Sequence, residues 1–266
     1  ILRIMQVNMK ISLACTFILL IFENYSLVRV MANYNSLALV FSLFGIYLLI
    51  KNQIEMSNKN ILIQAIICFL IILTKQNIGL FYLIALLGTI AIKYRKKSIK
   101  NILKICLILT MFSIAFILYL YFKGILNGFI NYTVLGISDF ANKNVSINML
   151  YIFVGIAILI SNLACSIFFV KQKKIEITEN EKNNLIILNC FSIMLFLLIY
   201  PIINMSHLLL AISTGIILFV YICNIIIKKS NISLNKIDKI IIISLIILII
   251  YSLFININSL VSWVNV

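Results

Sequence analysis

Apolar stretches of membrane-spanning length recur along this chain at about residues 11 to 28, 34 to 50, 61 to 74, 77 to 92, 104 to 122, 148 to 170, 185 to 200, 206 to 227 and 240 to 257. A hydrocarbon core ~30 Å thick takes about 20 helical residues to cross, and fewer where a helix is broken or re-entrant. Of the 266 residues 64% are apolar, 11% are charged and one is proline, with a mean hydropathy of +1.17. Such a composition excludes a soluble enzyme and makes the bilayer the solvent for most of the fold. The expected fold class is all-α: a polytopic transmembrane helical bundle of about nine membrane segments, short broken helices included. Residues 1–266 read as one integral membrane domain.

Two of the boundaries need an argument. Residues 61 to 92 would make one helix of about 48 Å at 1.5 Å per residue, far longer than the core requires, so the polar Lys75, Gln76 and Asn77 are read as an apex between two short helices. Pro201 splits the run from 185 to 227 in the same way.

The charge pattern agrees with both splits. The chain holds 22 Lys and Arg against seven Asp and Glu, a formal net charge of +15. With a cytoplasmic amino end and nine crossings, all but Arg29, Lys75, Lys123 and Lys143 fall on the cytoplasmic side, as expected because basic residues resist translocation. The carboxyl end is then extracytoplasmic. The basic excess is therefore topological, and the short basic loops lack the interleaved aromatics of a nucleic-acid-binding face, so no nucleic-acid partner is expected. The six cysteines are scattered singly with no Cys-x-x-Cys, and His207 is the lone histidine, so neither a disulfide framework nor a structural zinc site is read from them.

Polar groups kept beside a membrane point to function because each is costly to hold there without a partner. The Thr74–Gly79 turn places Lys75 between two helices, where Gln76 and Asn77 add donors and the next helix begins with backbone N–H groups that favour an anion. Alternatively, Lys75 snorkels to the interface with no further role. In Tyr200–His207, Asn204 and His207 are three apart and share a helix face. Glu23 and Asp139 are the two acidic residues on the predicted outer side, and thus the general-base candidates within this chain; Glu23 also reads as a partner of Arg29, and Asp139 as a plain loop residue. The loop after residue 122, with Phe129, Tyr132 and Phe140, is expected to lie partly as an interfacial helix, and Gly124 and Gly128 form a Gly-x-x-x-Gly packing signal.

Three of these elements resemble the GT-C superfamily of polytopic glycosyltransferases, which includes protein O-mannosyltransferase-like and lipid A aminoarabinose transferase-like enzymes. Asn33-Tyr34-Asn35, opening a helix that ends at Lys51, is similar to a Tyr-Asn segment of these proteins. Leu73-Thr74-Lys75-Gln76-Asn77-Ile78-Gly79 resembles their LTKQxxG turn, and Tyr200-Pro201 with Asn204 and His207 resembles a YPxxDxxH turn. The likeness spans about residues 30 to 220 and departs at Asn204, where the pattern often has aspartate.

The resemblance implies transfer of a sugar from a polyprenyl-phosphate-linked donor at the extracytoplasmic face of a bacterial plasma membrane. Lys75, Gln76, Asn77, Asn204 and His207 would line the donor site, with Lys75 neutralising the lipid phosphate. The family's acidic catalytic motif lies upstream of these segments; because the sequence opens on Ile1, the base is expected to precede it in a longer reading frame. No cofactor is evident; a divalent metal is left open, although the residues present do not support a site for one. The residues alone also leave open a multi-pass transporter or lipid-carrier flippase, or a non-catalytic membrane protein.

Overall fold

A computed structural model describes residues 1–16, 34–131, 149–171, 177–199 and 205–229. The described residues are all-helical, with no strand. After a short helical stretch at residues 9–16 come α1 (Tyr34–Lys51), α2 (Asn58–Thr74), α3 (Gln76–Tyr94), α4 (Ser98–Phe122), the single-turn α5 (Leu126–Ile130), α6 (Met149–Lys171), α7 (Glu179–Phe196) and α8 (Met205–Lys229). Turns of 3₁₀ helix at Arg95–Lys97 and Leu197–Ile199 follow α3 and α7.

Among the described residues, three helical stretches suffice by length and composition to cross a membrane: Tyr34–Lys51, Gln76–Phe122 and Ala211–Lys229. Asn58–Thr74 and Gly155–Phe168 are shorter apolar helices. The 47-residue stretch is not one rod. Arg95, with φ 50° and ψ −125°, breaks it, and α3 and α4 both fold against α2. Seven of the predicted segments thus coincide with α1–α4 and α6–α8; the first is described only to residue 16, and 240 to 257 lies outside the described residues.

Helix starts differ from the predicted ones where caps override hydropathy. Helix α7 begins six residues before its apolar run because Thr178 and Glu181 form a reciprocal capping box: the Glu181 N–H donates to Thr178 Oγ1 (3.2 Å) and the Thr178 N–H donates to Glu181 Oε2 (2.9 Å). Ser57 caps α2 through the Asn60 N–H (3.3 Å). In the loop after residue 122 a single helical turn forms over Leu126–Ile130, with Phe129 edge-on to Phe116 of α4 at 5.6 Å. Gly124 and Gly128 face nothing within 4 Å, so their spacing mediates no helix packing among the described residues.

The core is formed by α1, α2, α3, α7 and α8, with α3 and α7 at its centre, and is joined by Val7, Ile11 and Cys15 of residues 1–16 and by Ile105 and Leu109 of α4. Large apolar side chains also cover the outside: Leu103, Leu107, Met111 and Phe122 of α4 are 62–81% exposed. Polar groups meanwhile pair inside, the arrangement lipid demands. Gln64 Nε2 donates to the Gly45 carbonyl (3.1 Å), and the fully buried Tyr82 hydroxyl donates to Gln64 Oε1 (2.7 Å), joining α1, α2 and α3. Asn162 Nδ2 donates to the Gly215 carbonyl (3.0 Å), tying α6 to α8.

At one end of the bundle, the polar helix ends form a clasp. Lys93 Nζ donates to Glu179 Oε1 and Asn183 Oδ1, each at 2.8 Å; Tyr94 Oη donates to the Ile54 carbonyl (2.8 Å); and Lys104 Nζ donates to Asn58 Oδ1 (2.7 Å). Lys229 lies 3.9 Å from Glu181. The hydrogen bond from Lys93 holds the Glu179 carboxyl below its ordinary range. Every helix end in this clasp is one that the charge pattern assigned to the same side.

Gly45 makes this packing possible, since a Cβ there would lie 1.8 Å from the Tyr82 hydroxyl. Gly45→Ala should therefore destabilise the protein by about 1–3 kcal/mol. Adding Tyr82→Phe should recover part of the loss, so that denaturant unfolding in detergent gives a double variant more stable than the sum of the single effects.

Candidate functional site at the hairpin apex

Opposite the clasp, α2 and α3 are joined by a single residue, Lys75, whose backbone is extended at φ −155° and ψ 110°. The two helices fold back on each other. So tight a reversal needs close approach directly after the link, and Gly79 supplies it: a Cβ at that position would lie 2.7 Å from the Ile72 backbone. The glycine of the LTKQxxG-like turn thus has a steric reason, because there is no flexible side chain end to move aside.

Lys75 is held by residues 40 positions away. Its Nζ donates to Asn35 Oδ1 and sits 5.4 Å from the centroid of the Tyr34 ring. Asn35 is buried while Tyr34 is 59% exposed, so the ammonium lies between a fixed amide and an aromatic face that reaches the surface. Both of these contacts are to uncharged groups. Burial pulls the Lys75 pKa down from 10.5 to about 8.

The other predicted site residues are placed as follows. Gln76 is exposed in the first turn of α3. Asn77 is half-buried, and its Oδ1 accepts the Ile78 N–H (2.9 Å), so its carbonyl oxygen is used locally. Lys75, at the N-cap position of α3, gives no side-chain cap. Glu23, Asp139, Pro201 and Asn204 lie outside the described residues; His207 falls in the first turn of α8, with its side chain outside them.

Register brings the flank of the third motif to this end. Lys93 meets Glu179 and Tyr82 packs on Phe191 with ring centroids 5.0 Å apart, so antiparallel α3 and α7 place Leu197–Ile199 level with the start of α3. That turn packs against both α3 and α8. The apex, the start of α1 and the end of α7 therefore converge. Tyr34 and Asn35, as ligands of Lys75, were not among the site residues expected from the sequence; their signal was the Asn-Tyr-Asn element opening a helix on the same predicted side. Among the described residues, no three His, Cys, Asp or Glu side chains cluster as metal ligands.

No protein-family model, curated protein or solved structure matches the chain.

Because the Lys75 ammonium is lost above about pH 8, the affinity of the apex for an anion should be full below that pH and fall as pH rises through it. Stability runs the other way. The unfolded lysine keeps its proton to about pH 10.5, so the unfolded state binds more protons between 8 and 10.5, and this residue's contribution to stability rises with pH across that window. Titrating the binding of a phosphate probe between pH 6.5 and 9.5 checks the first effect, and Lys75→Arg should remove the decline.

Proposed function

We propose that the chain is part of a multi-pass membrane glycosyltransferase that takes a polyprenyl-phosphate-linked sugar and transfers the sugar at the extracytoplasmic face. The observation that carries this reading is the convergence of two family-like motifs on one cation: Lys75, from the LTKQxxG-like turn, is held by Tyr34 and Asn35, from the Tyr-Asn-like segment. Physically, a lysine at a helix start beside an exposed aromatic suits a phosphate on a lipid chain. As the glycosidic bond breaks, negative charge grows on the departing phosphate, and a cation oriented beforehand stabilises that charge at little reorganisation cost.

The same geometry supports a topology. The clasp gathers the ends rich in Lys and Arg, which under the positive-inside rule favours a cytoplasmic position for that end and the far side for Lys75. On this reading the chain crosses the membrane about nine times. Gln76 and Asn77 border the phosphate, and Asn204 and His207, following the turn at the level of the apex, border the sugar. The general base is a carboxylate, for which Glu23 and Asp139 are the candidates within this chain.

The test is donor binding and transfer with the protein in liposomes. Lys75→Ala should weaken polyprenyl-phosphate binding by about 10–100-fold, the worth of a charge-assisted contact. Lys75→Arg should keep it within a few-fold, and Asn35→Ala should lose less than Lys75→Ala because the charge remains. Unchanged donor affinity and transfer in a folded Lys75→Ala protein would refute the role of Lys75. Uptake of the lipid-linked sugar across the bilayer without transfer would favour a carrier.

A further inference from the structure

At the clasp end, a groove of about 1030 Å³ lies between α2, the Arg95–Lys97 turn and α4. Its mouth is ringed by Lys96, Lys97, Lys100 and Lys104, with Asn58 across from them and bonded to Lys104. Its wall is apolar, built from Ile61 and Leu62 of α2 and Leu103 and Leu107 of α4. None of the lining residues is acidic. Both bordering helices also begin here, α2 at Asn58 and α4 at Ser98, and neither has a carboxylate in its first turn, so two positive helix ends add to the four ammonium groups.

Charge of one sign at the mouth and hydrocarbon along the wall describe the complement of a single kind of molecule. We infer that this groove is a binding site for an anionic glycerophospholipid, with the phosphate among Lys96, Lys97, Lys100 and Lys104 and an acyl chain along Ile61, Leu62, Leu103 and Leu107. The inference rests on the membrane orientation proposed above, which puts these lysines at the cytoplasmic leaflet where anionic lipids are plentiful, and not on glycosyl transfer. A zwitterionic lipid fits less well, because its cationic group would meet the lysine ring. The length of the apolar wall also separates this site from one for a free phosphate: Leu107 lies seven residues, about two helical turns, beyond Lys100. The site is distinct from the Lys75 apex, which stands at the other end of α2.

The experiment is native mass spectrometry of the detergent-purified chain offered equal amounts of phosphatidylglycerol and phosphatidylcholine. The wild-type protein should retain phosphatidylglycerol in preference. Each lysine near a membrane surface is worth about fivefold, so replacing all four with glutamine should lower that preference by at least about tenfold. Lys10→Gln with Lys228→Gln, which removes basic charge outside the groove, should leave the preference within about twofold. Leu103→Trp keeps every charge but fills the apolar wall, and it too should reduce phosphatidylglycerol retention. It also serves as the deciding variant if the fourfold replacement does not fold. The inference is overturned if the fourfold or Leu103→Trp variant retains phosphatidylglycerol as the wild type does, if the control variant loses it equally, or if millimolar inorganic phosphate displaces it. Failure here with Lys75-dependent donor binding intact would refute the lipid groove and leave the proposed function standing.

Discussion

The arrangement depends on a lysine placed at the tip of a helical hairpin that reverses within one residue. Two helices cannot turn back so abruptly unless their backbones approach closely, and Gly79 against Ile72 permits that approach. Nor can an ammonium sit there half-buried without ligands, and Tyr34 and Asn35 provide them from the start of another helix. The charge at the tip thereby fixes how α1 meets the α2–α3 pair. One cation shapes both the fold and the candidate site.

Below the tip, the bundle follows the logic of a lipid solvent. Apolar side chains gain nothing by being inside rather than out, so specificity falls to small residues and buried hydrogen bonds. The Gly45, Gln64 and Tyr82 contact is of this kind: a missing side chain makes room for a hydroxyl, which satisfies an amide that itself caps a helical carbonyl. At the far end, Lys93, Glu179 and Asn183 perform the corresponding task where water is available, and the capping box of α7 holds Glu181 within reach of Lys229. Aqueous ion pairs at one end and an oriented cation at the other give the bundle two chemically different poles.

Much of this was legible in the sequence, and the reasons differ from element to element. Periodicity was of little use because these helices are apolar all round; length was decisive, and it separated α2 from α3 at Lys75 where hydropathy alone would have fused them. Helix starts were misplaced by about six residues at α4 and α7 because Lys100, Glu179 and Glu181 are hydrophilic yet lie in the first turns of helices that begin at Ser98 and, under the Thr178 cap, at Glu179. Lys75 was legible as the polar link between two short helices. Its ligands were not, since a contact across 40 residues leaves no local trace, and Gln64 reads as a stray polar residue until Tyr82 is seen against it. Asn204, Glu23 and Asp139 lie outside the described residues, so the sequence remains the sole ground for their roles.

In the proposed topology the Lys75 apex and the lysine-rich clasp lie on opposite sides of a membrane, the apex facing outward. Thiol labelling in intact cells tests it most directly, using Gln76→Cys at the exposed apex and Lys97→Cys beside the groove, with the native chain as the blank for its six cysteines. A membrane-impermeant maleimide should label Gln76→Cys before permeabilisation and Lys97→Cys only after it. Labelling of both from the same side, or of Lys97→Cys alone in intact cells, would contradict the orientation and with it the assignment of Lys75 to an extracytoplasmic lipid phosphate.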